Sequence, residues 1–160
     1  MRNKLLLIPG LLLTLTVNAA DLVTHNSVLI QAPAADVWPH VVTPDAWKQG
    51  AQLKPADDSG MVFHAVMPNQ PDQPLYLVVN VEFEPNARRT IRLSSLDDAL
   101  MGYATWVLRA VDDGTLVTYD VYSYTPALPE GVSEADYVLA NKQRFQAELE
   151  ALKTIVEDKQ

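Results

Sequence analysis

Cysteine is absent from the 160-residue sequence. No disulfide can therefore form, no thiolate can bind a metal or attack a substrate, and no lipid can be attached to a cysteine as in a lipoprotein. The chain has to fold on the strength of its hydrophobic core. Its length is sufficient to bury a sizeable core within one domain.

Local motifs of catalysis are also missing. The sequence has no glycine-rich phosphate loop, no HExxH zinc motif and no GxSxG nucleophile turn. No two of its three histidines, His25, His40 and His64, have the local spacing of metal ligands. The pairs Asp97-Asp98 and Asp112-Asp113 are typical of turns, because a calcium loop would need further oxygen ligands at alternating positions. The sequence therefore predicts no catalytic residue, no metal site and no cofactor.

Positive charge is scarce. The chain has 12 Lys and Arg against 20 Asp and Glu, which gives a formal net charge of -8. Such a surface argues against nucleic acid and against electrostatic docking on anionic lipid headgroups. Two interpretations stay open, namely that the acidity attracts a basic partner protein or that it only keeps the protein in solution.

The first 20 residues have the composition of a secretory signal peptide. Arg2 and Lys4 form a basic start, an uncharged run follows, and small residues end the stretch at Ala19 and Ala20. A transmembrane anchor would need about 20 apolar residues, and this run is shorter. We expect cleavage after Ala19 or Ala20, one domain over residues 21–160, no remaining anchor, and a location in the bacterial periplasm.

The segment after the leader predicts a strand followed by two short helices. The apolar run Val28–Ile30 indicates a strand, and Pro33 suits the first turn of a helix because its missing N–H would have no partner there. Pro39 removes a helical hydrogen bond, so this helix should be short or kinked. The break at Thr43-Pro44-Asp45 then opens a second short helix near Trp47.

The middle of the chain predicts two strands around a proline-rich connection. Met61–Met67 indicates a strand, and Pro68–Pro74 is expected to be a loop without regular structure. The next strand has apolar residues at every second position, which predicts that they face the core. These residues are Leu75, Leu77, Val79, Val81 and Phe83.

Three further strands are predicted, joined by short turns into an antiparallel meander. They are Arg89–Leu96, Tyr103–Val111 and Leu116–Tyr124. In the second of them Trp106 lies on the inward face and Arg109 on the opposite one, so Arg109 should lie outside any pocket. Asp113-Gly114 is a strong short hairpin signal between the last two strands.

The pattern then changes to helical spacing. Ser133 with Asp136 three residues later resembles a capping box, although its acid is shorter than the usual Glu. Apolar residues recur with the helical period from there to the C-terminal end, at Val138, Phe145, Leu149, Leu152 and Val156. The sequence thus predicts a long amphipathic helix that needs a sheet to cover its apolar stripe, in an α+β domain of two layers.

Three short motifs resemble the opening of a known superfamily. Ala32-Pro33, Val37-Trp38 and Pro44-Asp45-Ala46-Trp47 are similar to the start of SRPBCC proteins, the START and Bet v 1-like group that includes polyketide cyclase/dehydrase-like members. The resemblance implies a helix-grip fold, with a curved antiparallel sheet of about seven strands wrapped on the long C-terminal helix and two short helices after the first strand. It also implies a cavity between sheet and helix, in an exported bacterial member.

Residues on the faces predicted inward are the candidates for ligand contact. They are Phe83, Trp106, Tyr119, Phe145 and Leu149. Any one of them could instead be an ordinary core residue, since aromatic side chains dominate cores as well as pockets. If the cavity implied by the resemblance exists, we expect the aromatic residues among them to line it.

The sequence leaves three functions open. The first is a non-catalytic periplasmic protein that holds a hydrophobic or amphipathic small molecule in the cavity. The second is an accessory protein for a basic periplasmic partner, such as a methanol-oxidation-type dehydrogenase system. The third is a cyclase/dehydratase-like enzyme, which would need Tyr119, His64 or another polar side chain to point into the pocket. A fold of this kind does not by itself decide among them.

Overall fold

The computed structural model describes residues 20–43, 52–67, 69–96, 101–125, 128 and 130–159. These residues form seven strands and two helices. In chain order the elements are β1 (Ala20–Ile30), α1 (Ala34–Val42), β2 (Gln52–Pro55), β3 (Val62–Met67), β4 (Gln70–Glu84), β5 (Arg88–Ser95), β6 (Met101–Val111), β7 (Gly114–Thr125) and α2 (Glu134–Glu157).

The strands form one antiparallel sheet, and α2 packs against one of its faces. The strand order is β1-β7-β6-β5-β4-β3-β2, so the chain runs as a meander from β2 to β7 and β1 joins the end of it. This arrangement confirms the predicted helix-grip fold. The predicted second short helix near Trp47 and the predicted signal peptide lie outside the described residues. Within the part of the chain that is described, no helix has the length and apolar character needed to cross a membrane.

Helix α1 is short, as its prolines predict. Pro33 immediately precedes its first residue in an extended conformation, and Pro39 lies inside the helix, which has nine residues. Val37, Trp38 and Val41 are the buried side chains of this helix. They lie three and four positions apart, so one side of α1 faces the core.

The β6–β7 hairpin requires a glycine. Val111 pairs with Gly114 across the turn, and Gly114 has a φ of +139°. A Cβ atom at this position would lie 2.1 Å from the carbonyl oxygen of Ile30, which is backbone and cannot move aside. The predicted hairpin is confirmed, with Asp112 and Asp113 as its turn residues and Gly114 as the first residue of β7. The close approach of β1 explains why glycine follows the turn.

Helix α2 begins at the predicted cap. The hydroxyl of Ser133 accepts a hydrogen bond from the backbone N–H of Asp136 at 3.1 Å and donates one to the Asp136 carboxylate at 2.6 Å. In a capping box the acid accepts a hydrogen bond from the backbone N–H of the cap residue. Here the shorter side chain of Asp136 accepts from the Ser133 hydroxyl instead. The predicted apolar stripe is confirmed from the middle of the helix onward, where the buried residues are Phe145, Leu149, Leu152 and Val156.

Strand β4 differs from its prediction in which face is buried. Val78 is 2% exposed and Asn80 is 5% exposed, whereas Val81 is 50% exposed. The alternation predicted the opposite, and the inward placement of Leu77, Val79 and Val81 was wrong. Apolar residues occupy both faces of this strand, so alternation could not choose between them. A register shift between Asn80 and Glu82 then adds an extra residue to the strand.

The proline-rich stretch also belongs to this strand. The prediction of an irregular loop over Pro68–Pro74 was wrong from Gln70 onward, since β4 begins there. Val66 pairs with Pro74 and Met67 with Gln70, with register shifts between these pairs. Proline is tolerated in such irregular pairing because it lacks the N–H that a regular ladder needs.

Candidate functional site

A cavity of about 390 Å³ lies between the sheet and α2. It is formed by strands β2 to β7 and by the part of α2 between Tyr137 and Glu148. Its lining residues are Leu53, Ala65, Met67, Leu75, Tyr76, Val78, Arg89, Ile91, Leu93, Gly102, Tyr103, Ala104, Trp106, Tyr119, Val121, Ser123, Tyr137, Asn141, Arg144, Phe145 and Glu148.

Three aromatic rings make one wall of the cavity. Trp106 and Tyr119 are paired across β6 and β7 and stack with their centroids 4.6 Å apart. Phe145, from α2, meets the Tyr119 ring edge-on at 5.2 Å. All three side chains are buried. Mutual ring contacts of this kind stabilise a fixed, apolar surface against which a ligand could pack.

The structure brings together three of the five predicted ligand-contact residues. Trp106, Tyr119 and Phe145 line the cavity. Phe83 and Leu149 lie outside its lining. Phe83 is 40% exposed and packs edge-on against Trp38, and Leu149 is fully buried in the core further along α2. Ligand contact by the three lining aromatics stays a prediction.

Arg89 is a cavity residue that the sequence analysis did not single out. Its side chain is only 1% exposed. Nε donates to Oδ1 of Asn80 at 2.9 Å, and Nη1 donates to the carbonyl oxygens of Val41 at 2.6 Å and Val42 at 3.1 Å. These carbonyls belong to the last turn of α1, where they lack partners within the helix. Arg89 thereby ties β5 to the end of α1.

The guanidinium of Arg89 stays cationic despite its burial. Desolvation lowers its pKa to about 10, which is still well above neutral pH. Its Cζ atom lies 5.9 Å from the centre of the Trp106 ring, within the distance at which a cation is attracted to an aromatic face. A fixed positive charge therefore adjoins the aromatic wall.

The α2 side of the cavity is more polar than the sheet side. Tyr137, Asn141, Arg144 and Glu148 all contribute to the lining. Asn141 donates to the carbonyl oxygen of Tyr137 at 2.9 Å, and Cζ of Arg144 lies 4.5 Å from the centre of the Phe145 ring. A ligand would thus meet an apolar wall on the sheet and polar groups on the helix, as an amphipathic molecule requires.

The three histidines do not meet. His25 is exposed and pairs with Asp120, and His64 lies on β3 outside the cavity lining. His40 lies on α1, where burial lowers its pKa, with a smaller contribution from Lys159. Among the described ranges, no group of three His, Asp or Glu side chains is placed to hold a metal ion. Arg109 is exposed and lies outside the cavity lining.

Solved structures share this architecture. A conserved protein from Geobacillus kaustophilus matches with a TM-score of 0.67 at 10% identity, over 86% of this chain and 96% of that one. The di-domain ARO/CYC StfQ, from the steffimycin biosynthetic pathway, matches with a TM-score of 0.64 at 13% identity, over 87% of this chain and 51% of that one. Ara h 8.0201 matches with a TM-score of 0.63 at 14% identity, over 87% and 99%.

These similarities establish a helix-grip, Bet v 1-like fold. At such identities they show the fold alone. No protein-family model matches the sequence, and no curated protein matches it either.

Proposed function

We propose that the protein binds a hydrophobic or amphipathic small molecule in the cavity between the sheet and α2. The observation that carries the proposal is the cavity itself, about 390 Å³ in volume beside a wall of three packed aromatic rings. Pockets for small molecules typically have volumes of roughly 300–1,000 Å³, whereas protein cores have few voids larger than a water molecule. A space of this size is therefore better explained by a guest than by imperfect packing.

The binding free energy can be estimated from the apolar surface that a ligand would bury against the aromatic wall. If a ligand buries about 300 Å² of apolar surface at roughly 25 cal/mol/Å², it gains about 7 kcal/mol before the entropic cost of association. Contacts of that kind alone correspond to weak binding, in the micromolar range at best. Tighter binding would need polar contacts as well.

Filling the cavity tests the proposal. Ala104 lines it, whereas Ala110 lies on the same strand and is exposed outside the lining. We expect Ala104→Phe to weaken binding of the neutral fluorescent probe N-phenylnaphthylamine about tenfold or more, because the added ring occupies the space of the probe. Ala110→Phe is the matched control and should bind like the wild type.

Two outcomes would count against the proposal. One is a wild-type protein that gives no saturable increase in probe fluorescence. The other is equal loss of binding in both variants, since that would place the probe on a surface outside the cavity. Circular dichroism of each variant shows that any loss does not come from unfolding.

The proposal includes export to the periplasm. It is supported by the basic start, the uncharged run and the small residues at Ala19 and Ala20. Fractionation of the native host followed by N-terminal sequencing tests this point. We expect a periplasmic protein that begins at Ala20 or Asp21, and an intact Met1 in the cytoplasmic fraction would contradict it.

A cyclase/dehydratase-like enzyme is the second candidate. The observation that favours it is that Arg89, Tyr119 and Asn141 give the cavity wall polar groups, as a catalytic pocket requires. One structural neighbour, StfQ, is described as an ARO/CYC. Mass spectrometry of a poly-keto thioester incubated with the protein would show loss of water if this candidate is right. An unchanged substrate together with saturable binding would favour the non-catalytic role.

An accessory role for a basic periplasmic protein is the third candidate, supported by the net charge of -8. Electrostatic association of this kind weakens as salt rises. A pull-down from periplasm at low and high salt separates it from the first two, because small-molecule binding in an apolar cavity should change little with salt.

A further inference from the structure

The charge of the cavity is opposite to the charge of the protein. The chain carries 20 acidic and 12 basic side chains, yet the described lining contains two arginines, Arg89 and Arg144, and one acid, Glu148. Lysines and arginines on an exterior are expected on any protein, but a buried cation inside an apolar cavity is costly. Arg144 is exposed, so the cation that calls for an explanation is Arg89, whose side chain is only 1% exposed.

Arg89 has no carboxylate partner within the described residues. The ion pairs found there join His25 to Asp120, Arg88 to Glu82 and Lys153 to Glu157. Glu148 lines the same cavity from α2, and none of these ion pairs joins it to Arg89. A buried arginine is usually paired with a carboxylate, because the attraction offsets the cost of removing the charge from water.

The contacts that Arg89 does make leave one end of its guanidinium available. Nε is bonded to Asn80, and both hydrogens of Nη1 are directed to the two carbonyls at the end of α1. Among the described residues, none accepts a hydrogen bond from Nη2. The last turn of a helix carries roughly half a negative charge, so α1 balances only part of the cation. What is left is an Nη2 group with no acceptor among the described residues and a partial positive charge, on a side chain that lines the cavity and has its Cζ 5.9 Å from the Trp106 ring.

We propose that the ligand is an amphipathic organic anion, with its carboxylate on Nη2 of Arg89 and its hydrophobic body against Trp106, Tyr119 and Phe145. A carboxylate fits because one of its oxygens can accept a charge-assisted hydrogen bond from Nη2, and such bonds are about twice as strong as neutral ones. Nε and Nη1 are already bonded, so the contact is through Nη2 alone. This inference rests on the proposed function, since it names the class of molecule that the cavity takes.

The alternative is that Arg89 only fastens the end of α1 to the sheet. That role needs Nε and Nη1 alone, and it gives the cavity no preference for an anion. A pair of ligands that differ only in the head group distinguishes the two. Naphthoate and naphthylmethanol have the same aromatic body, and they carry a carboxylate and a neutral hydroxymethyl group respectively.

Isothermal titration with both compounds is the experiment. We expect the wild type to bind naphthoate at least about tenfold more tightly than naphthylmethanol. Asn80→Asp is the informative variant, because it keeps the shape of Asn80 and places a carboxylate against Nε of Arg89. The carboxylate introduced by Asn80→Asp should reduce the affinity ratio of naphthoate to naphthylmethanol to within about threefold, while the affinity for naphthylmethanol stays unchanged.

Two further variants complete the design. Arg89→Gln removes the charge and should abolish the preference. Arg92→Gln removes an exposed arginine from the same strand and should leave the preference unchanged. If Arg89→Gln does not fold, Asn80→Asp and the wild type still decide the question.

The failures can be told apart. Equal affinity of the wild type for both compounds overturns the anion preference and leaves the proposed binding function standing. A preference that persists in Asn80→Asp or Arg89→Gln also overturns it, because the charge recognised would then lie elsewhere. If neither compound nor N-phenylnaphthylamine binds the wild type, the proposed function fails and this inference fails with it.

Discussion

The two halves of α2 meet the sheet in different ways. In the C-terminal half, Leu149 and Leu152 are fully buried and Val156 is 3% exposed. In the N-terminal half, Tyr137, Asn141 and Arg144 line the cavity. The same helix thus completes the core at one end and leaves a space at the other. Stability and binding should therefore depend on different residues.

The two halves of α2 differ because different parts of the chain contact them. Helix α1 contacts α2, and Pro39, His40 and Val156 line one surface depression near the C-terminal end of α2. The backbone N–H of Gln31, at the end of β1, also donates to the Glu157 carboxylate at 2.8 Å. These contacts cover the packed half. The open half is bonded to β1, where Asn26 donates to the carbonyl oxygen of Lys142 at 2.9 Å, and it faces the other strands across the cavity.

The largest effect is expected from a substitution in the packed half of α2, which contains Leu149, Leu152 and Val156. Leu152→Ala should lower the free energy of unfolding by about 3 kcal/mol, within the roughly 2–5 kcal/mol seen when a buried leucine leaves a void. Urea denaturation measures the loss. Leu139→Ala is the control, because Leu139 is 54% exposed on the same helix and should change stability by less than about 0.5 kcal/mol.

Binding distinguishes the two halves in the same variant. Folded Leu152→Ala protein should bind N-phenylnaphthylamine like the wild type, because Leu152 does not line the cavity. A fall in affinity as large as that of Ala104→Phe would show that the two halves are not separable.

A smaller effect is expected at the start of the open half. Ser133→Ala removes the hydroxyl that accepts from the Asp136 N–H, and the loss of such a cap costs about 1 kcal/mol. Hydrogen exchange should increase in the first turn of α2 and stay unchanged around Leu152. Faster exchange along the whole helix would indicate that α2 responds as one unit.

The smallest effect expected is on the pH dependence of stability, through His40 on α1, next to the packed half of α2. Burial lowers the pKa of His40, so the folded protein binds a proton there less readily than the unfolded chain does. His40 should therefore contribute stability above its ordinary pKa of 6.5, and this contribution is lost as the pH falls below that value. His40→Gln should reduce the fall in urea midpoint between about pH 7.5 and pH 5.5.

His64→Gln is the matched control for this prediction, since His64 lies on β3, where it pairs with Lys54 and Leu77 of the neighbouring strands. An identical pH dependence in the wild type and His40→Gln would contradict the account of the packed half.

The elements that the sequence predicts best are those with one clear signal. Strands β6 and β7 alternate between an apolar and a polar face, and Asp113-Gly114 indicates a hairpin between them, whose turn is formed by Asp112 and Asp113. The stripe on α2 has a helical period over several turns. In each case local pattern and tertiary burial agree, so the fold could be predicted from residues alone.

Strand β4 shows where this reasoning fails. Its residues from Leu75 to Val81 are apolar on both faces, and the register shift after Asn80 is not visible in the sequence. Strand β2 has only four residues, and it forms through pairing with β3. Pairing between strands distant in the sequence determines these features, and local propensity does not predict such pairing.

The sequence predicts where Arg89 lies on β5, but it does not predict which groups Arg89 binds. It lies two and four positions before Ile91 and Leu93, so alternation alone places it on the inner face of β5. A charged residue at such a position is unfavourable unless partners are present. Its partners are the carbonyls at the end of α1, and only the tertiary structure shows that they reach it.

Native mass spectrometry of the protein purified from its native host tests the central claim most directly. We predict a mass above that of the bare chain, owing to one bound small molecule, in the wild type and in Ala110→Phe. The added mass should be absent from Ala104→Phe. A wild-type protein that shows only the mass of the bare chain, and that takes up no hydrophobic probe afterwards, would contradict the claim that this cavity holds a ligand.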